Sequence, residues 1–416
     1  MFVYTLPALA LFPRLILTPY LAFAIPLIST VIIYLLTNAL ILFDVFQSWV
    51  VTGAALGIGL IAMFRLRNTE TMAFLWTKYD AFIYGIHTVL LFPYCVRLGT
   101  HGFDRGDEIY SWNFWAIQHY FGEPIDFFHT GAPYPQLFPK LLAFCYQLLG
   151  NTDLQLPLKA TLIIFPWAML TAIAMVARYR LGALKVAYWL LFIFVLKGVG
   201  LAQFFDDGYA DPVMTSALIG SIVLFWFSQQ DSLFTSGPFA SLRITPMMVA
   251  GFSVLCALMA AYTKQPALLW TMFSLPVMFL LVGKEKKDRR WWWYSLISFG
   301  AGLAWMLTEG KNFQNNQGVL WLSLGDRGIL AQLAYAFNKY FIRHPALLVV
   351  FAFAIMASRH EKNLRRFVIF FMIPGLLCWL IMGAYQLRLG QHLIALAFLI
   401  WAASGRYLPS FGHWNP

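Results

Sequence analysis

Stretches of about 20 apolar residues recur along this chain with only short polar links between them, and no other feature constrains its fold as tightly. Inside hydrocarbon every backbone N–H and C=O must find a partner within its own segment, so runs of this length are read as membrane-crossing helices. The runs fall near residues 20–43, 46–64, 79–99, 157–176, 184–201, 212–228, 244–262, 266–283, 291–308, 345–357, 367–383 and 391–405. The 416 residues are 60% hydrophobic and only 11% charged, a composition outside the range of soluble globular domains. The expected fold class is therefore all-α: a polytopic, multi-pass membrane protein of about 11 to 13 transmembrane helices, with no soluble domain. Within one integral membrane domain, 1–416, residues 1–77 carry extra N-terminal hydrophobic segments. Residues 78–283 carry the core with an outer loop at 101–136, and 284–416 the C-terminal helices with an outer loop at 309–344. The first dozen residues are apolar but have no basic start, so they read as a retained segment and not a cleaved signal peptide.

Charge placement orients the helices. The formal charge of +11 comes from basic residues scattered among loops, which argues for positive-inside topology and membrane lipids as neighbours, and against a nucleic-acid partner. Arg14, Arg65, Arg67, Arg178, Arg180, Lys185, Arg243, the run KEKKDRR at 284–290, Arg359, Lys362, Arg365, Arg366 and Arg406 fall on one face, read as cytoplasmic. Trp291, Trp292 and Trp293 follow KEKKDRR directly and read as an interfacial aromatic belt. Cys95, Cys145, Cys256 and Cys378 sit in apolar segments without paired spacing, as buried thiols do.

The opposite face collects the chemistry. In RGDEIYSWNFWAIQHY, Arg105 to Tyr120, the adjacent carboxylates Asp107 and Glu108 precede Ile109, Trp112, Trp115 or Ala116, and Tyr120 at helical spacing. That pattern predicts an amphipathic helix on the bilayer surface with the acid pair at its N-terminus. An acid there either caps the helix or, with its pKa moved by burial and a like-charged neighbour, carries out proton chemistry. Pro124, Pro133, Pro135 and Pro139 then forbid a continuous helix, and Leu137 to Leu149 is too short to span, so it reads as a second surface or half-inserted helix.

Three further clusters share this face: Asp206, Asp207 and Asp211 in FFDDGYADP; Thr263, Lys264, Gln265 and Pro266; and Tyr385, Gln386, Arg388 and His392. Asp211 before Pro212 is also a natural helix cap, and Lys264 also reads as a snorkelling lysine. Arg388 lies on the side that the positive-inside rule depletes, which favours an anionic partner. Acids and cations gathered there suit a lipid phosphate whose reacting bond lies at the membrane surface, with Lys264 and Arg388 on the phosphate and a carboxylate as general base. Asp107, Glu108 and Asp211 together also offer hard oxygen ligands for Mg²⁺ or Mn²⁺; no other cofactor is indicated. The 309–344 loop, with Asn312, Asn315, Asn316, Asp326 and Arg327, reads as an amphipathic connector or a lid.

GDEIYSWNFWA, followed by YPQLFPKLLAFCYQLLGNTDLQLPLKATLIIFPWAMLTAIAMVARYRLG, resembles the opening of GT-C type glycosyltransferases, in particular the lipid A aminoarabinose transferase and protein O-mannosyltransferase group. The likeness runs in order over about residues 80–270, through DDGYADP to Lys264, Gln265 and Pro266, with Arg388 matching a late outer-face arginine. It implies an enzyme that moves a sugar from a polyprenyl-phosphate donor to a hydroxyl of a lipid, glycan or protein acceptor outside the cytoplasm, as in a bacterial inner membrane. By the same resemblance Asp107 is the general base, Glu108 supports it or binds metal, and Asp211, with Asp207 beside it, is a polar anchor. Lys264 and Arg388 would contact phosphate, with Tyr385 and His392 alongside, and Tyr134 takes the place of a lysine that the aminoarabinose group carries before its prolines. Two other classes stay open: an O-antigen polymerase or ligase, and a transporter or flippase of lipid-linked or anionic solutes. The transporter reading requires charges at mid-membrane depth and two matching halves.

Overall fold

A computed structural model describes residues 2–69, 75–104, 106, 108–127, 134–181, 208–308, 328–342, 345–359, 361–380 and 391–404. Every regular element among the described residues is a helix, with no strand among them. Seven helices are long and apolar enough to cross a membrane: α1 Pro19–Leu42, α2 Ser48–Arg67, α3 Lys78–Thr100, then Gln155–Arg180, Ala210–Ser228, Pro246–Thr263 and Gln265–Lys286. Their limits lie within a few residues of those read from the sequence, because the apolar run itself sets where a helix can leave hydrocarbon.

Other expected spans appear in weaker form. Arg290–Thr308 is a 19-residue helix whose first turn is Trp and Tyr. Pro345–Ser358 and Gln391–Ser404 are 14-residue helices. The 367–383 run is described to residue 380 as a helix with a π turn, Val368–Met372, inside it. The 184–201 run lies outside the described residues, as do positions 309–327 of the expected lid.

The chain packs as two compact units. The first comprises residues 1–172 and 205–313, the second 173–204 and 314–416. In the second, Arg180 donates to the Ala403 carbonyl (2.8 Å) and pairs with Glu361, joining three stretches that the charge pattern places on the basic face. In the first unit, α5 Leu137–Leu149 packs against long helices and α4 Asn113–Phe121 packs against α5. The remaining long helices are α6 Gln155–Arg180, whose residues from 173 on belong to the second unit, and α7 Ala210–Ser228, α8 Pro246–Thr263 and α9 Gln265–Lys286 in the first.

Burial separates centre from periphery. The whole of α7 is buried, whereas most of α2 and α3 is exposed, so α7 is the hub and the apolar outer faces of α2 and α3 meet acyl chains. Helices already in lipid gain little from hydrophobicity against one another and associate by close packing and polar contacts. Here Ser221 of α7 and Ser253 of α8 lie 3.2 Å apart, and Trp270 of α9 donates to the Ser221 hydroxyl (2.9 Å). At Gly220 a Cβ would meet Leu27 Cδ1 of α1 at 2.4 Å, so glycine sets how closely α7 approaches α1.

Two expectations change. Leu137–Leu149 forms at the expected limits, but it is packed into the first unit with Leu137, Phe138, Leu141, Leu142, Phe144 and Tyr146 all buried, which removes the surface half of the expectation and leaves the half-inserted one. Of the tryptophan run, Trp292 and Trp293 are exposed as a belt requires, whereas Trp291 is 2% exposed and packs on Phe279 at 6.0 Å.

Candidate functional site

The acidic stretch opens on a π turn, Glu108–Trp112, that runs directly into α4. A π turn adds a residue to the helical repeat and so slips its phase, a feature frequent at functional sites. The slip corrects the expected apolar stripe. Glu108, Ser111, Trp112, Trp115 and Ala116 are buried, while Ile109 is turned outward and 41% exposed.

Glu108 is fully buried, and both of its oxygens are engaged. Oε2 accepts from Lys159 Nζ (2.7 Å) and from the Asp104 N–H (3.1 Å), and Oε1 accepts from the Gly208 N–H (2.6 Å). Lys159 stands near the start of α6 and is 2% exposed. Its ammonium also donates to the Gly102 carbonyl (2.8 Å) and to Asp104 Oδ1 (3.1 Å), which uses all three N–H bonds of an ammonium. Partial desolvation works against the charge on Asp104, yet the hydrogen bond and charge of Lys159 outweigh it and hold that carboxyl below the ordinary aspartate value. Sequence reading missed Lys159. The available signal was a lone charge inside LQLPLKATLII, a position where a charge has to find a partner.

Gly208 closes this arrangement. A Cβ there would meet Glu108 Oε1 and two ring carbons of Phe103, each at 3.0 Å. Gly208→Ala is therefore expected to lower stability by about 1–3 kcal/mol, the cost of overpacking a filled site. Thermal unfolding in detergent checks this; an unchanged midpoint would mean that the contact yields freely.

Three residues after Gly208 comes the second pair. Lys264 Nζ lies 2.7 Å from both oxygens of Asp211, with both side chains buried. Asp211 stands in the first turn of α7, and the residue before that helix, Tyr209, makes no side-chain cap. The Asp211 carboxylate is thus bound to Lys264, and Lys264 is a buried ion-pair partner with no snorkelling role. Two N–H directions serve Asp211, and among the described residues no other group takes the third.

Both pairs lie at the helix ends opposite the basic ones. Asp211 begins α7 while Asp231 follows its end, and Lys264 follows α8 while Arg243 precedes it. Asp231 is bound by Lys286 at 2.7 Å, on that other side.

Between α4 and α5, His119 Nε2 is 3.1 Å from Gln136 Oε1. Burial, seconded by the charge of Lys140 and opposed by the Gln136 contact, lowers His119 to about 4, so its ring is neutral at physiological pH. Tyr134 is half-buried, its ring 5.5 Å from that of Trp112 and 6.1 Å from that of Trp115, and its carbonyl accepts from Gln136 (2.8 Å). It forms part of an aromatic wall. Tyr146 donates to Asn113 Oδ1 (2.5 Å) and Gln147 to the Tyr120 carbonyl (2.8 Å), which fastens α4 to α5.

The structure thus brings Glu108 and Asp211 within one chain turn of each other through Gly208. Asp107, Asp206, Asp207, Tyr385 and Arg388 lie outside the described residues. His392 is buried in the second unit. Of the expected metal set Asp107, Glu108 and Asp211, Asp107 is outside the described residues, and Glu108 and Asp211 are each paired with a lysine. Among the described residues no group of three His, Cys, Asp or Glu side chains is placed to hold one.

Compared with known proteins, the chain matches no family model, no curated protein and no solved structure. Its functional reading rests on its own residues.

Proposed function

We propose that this protein is a membrane glycosyltransferase of the GT-C type that moves a sugar from a polyprenyl-phosphate donor to an acceptor hydroxyl on the extracytoplasmic face. One observation carries the reading: two buried ion pairs, Glu108–Lys159 and Asp211–Lys264, meet through Gly208 at the helix ends opposite the basic loops. Charges buried inside a membrane protein are costly and are kept where they act. Their position at helix ends, and not at mid-span, weighs against a transporter.

In this reading Glu108 positions and does not react, since both of its oxygens are committed. Its sequence neighbour Asp107 is the base. The acceptor oxygen attacks the anomeric carbon, and Asp107 takes the hydroxyl proton. The carbon–oxygen bond to phosphate breaks, and the polyprenyl phosphate leaves with the electron pair. A phosphate leaves readily once cations balance its charge, so no second carboxylate has to protonate it. Lys264, whose third N–H no other group among the described residues takes, contributes to that balance, and Arg388 is proposed as the second phosphate contact. Direct displacement inverts the anomeric configuration.

Purified protein, membrane lipid extract as acceptor and a panel of labelled synthetic polyprenyl-phosphate sugars test the proposal. Consumption of at least one donor, with a product of inverted configuration, is expected. Donors that bind but stay intact would remove the enzyme reading and favour transport.

A further inference from the structure

A second site lies on the basic face of the first unit, at the helix ends away from the two ion pairs. There a half-open cavity of about 540 Å³ is lined by Phe12, Phe64 and Phe252 together with Arg14, Arg65 and Asn68. Arg14 comes from the turn before α1 and Arg65 from the last turn of α2. Residues 244 and 248, at the start of α8, complete the wall. Arg14 spends one N–H on the Leu242 carbonyl (3.2 Å), which fixes the head of its side chain and leaves most of its donors over. Among the described residues, none pairs with or hydrogen-bonds to the Arg65 guanidinium, and no carboxylate lines the cavity.

Two guanidiniums facing one space recognise a tetrahedral oxyanion, because the planar fork of arginine matches phosphate oxygens in pairs. The rest of the wall is greasy. Leu11 and Phe64 on its rim are 53% and 67% exposed, and the adjoining outer face of α2 carries Leu56, Leu60 and Ile61, also exposed. An inorganic phosphate has no use for that rim, whereas a lipid fills both halves, headgroup on the arginines and acyl chains along α2. We infer that this cavity is a binding site for the phosphate headgroup of an anionic membrane lipid in the leaflet opposite the sugar-transfer site. The inference stands whether or not sugar transfer is the reaction, since it uses none of those residues.

The test reconstitutes the full chain with phosphatidylglycerol or phosphatidylcholine and counts retained lipids by native mass spectrometry after detergent extraction. Arg14→Gln/Arg65→Gln is compared with the native protein and with Lys284→Gln/Arg290→Gln, a pair on the same basic face outside the cavity. The native protein is expected to hold one phosphatidylglycerol in preference to phosphatidylcholine. Affinity should fall by about 10²-fold in the cavity variant, roughly tenfold for each arginine charge that the substitutions remove, and stay unchanged in the control pair. If the double variant does not fold, Arg65→Gln alone carries the comparison, because that side chain is exposed.

Three results would overturn the inference. Equal retention in the cavity variant places the lipid elsewhere. Arginine-dependent binding of inorganic phosphate without any hold on phosphatidylglycerol makes the ligand a free anion. No preference for anionic lipid in the native protein means that the arginines do not hold a lipid headgroup.

Discussion

Lys159→Met is expected to destabilise the protein by about 3–5 kcal/mol, because it leaves the fully buried Glu108 carboxylate without its counter-charge. The two backbone donors, from Asp104 and Gly208, remain, but neither carries a charge. The magnitude belongs to breaking the pair and says little about the pair's own worth. Lys159→Met/Glu108→Gln should therefore recover most of the loss, with a coupling energy of at least about 2 kcal/mol in the double-mutant cycle. Lys286→Met serves as the comparison. Its partner Asp231 is 75% exposed, so breaking that pair should cost no more than about 1 kcal/mol. Unfolding midpoints of the native protein and these variants in one detergent check both statements. Additive effects of Lys159→Met and Glu108→Gln would mean that the two side chains do not depend on each other.

Much of the fold is legible in the sequence because the bilayer writes it there. A helix that must cross hydrocarbon needs an uninterrupted apolar run, so the limits of α1, α2, α3, α7, α8 and α9 follow from hydropathy to within a few residues. What hydropathy does not encode is depth within the bundle. Leu137–Leu149 reads as a surface or half-inserted helix because 13 residues are too few to span, yet Leu137 to Gln147 are almost all covered by neighbouring helices. The π turn at Glu108–Trp112 was equally hidden. A period-3.6 reading places Ile109 with Trp112, and one extra residue in the turn separates them.

The site divides along the same line. Asp211 and Lys264 were visible as isolated charges at the mouths of spans, but each alone was as readable as a cap or a snorkelling lysine. Their meeting at 2.7 Å, across 53 residues of chain, is tertiary information. Lys159 shows the point more sharply. Its sequence neighbours give no hint of Glu108, which lies 51 residues away. A buried carboxylate nevertheless demands a partner, and among the charges inside apolar runs on the outer side Lys159 was available.

In the proposed reaction Asp107 is the base for sugar transfer. Asp107→Asn removes the proton acceptor while keeping the side chain's size, and general-base help is worth roughly 10²- to 10⁴-fold. Turnover of the donor should fall by that factor. A donor that still binds would show that the phosphate contacts survive, since Lys264 is held by Asp211. The rate should not return on raising the pH, because an amide does not ionise. The same factor must not come from unfolding, so the thermal midpoint of the variant is read on the same preparation.

The most direct measurement is single-turnover transfer of labelled sugar from the polyprenyl-phosphate donor that the native protein consumes, run side by side with Asp107→Asn. A base at Asp107 predicts a loss of at least about 10²-fold in the chemical step at an unchanged unfolding midpoint. Transfer by Asp107→Asn at the native rate, with the midpoint equally unchanged, would contradict it and move the base away from the acid pair.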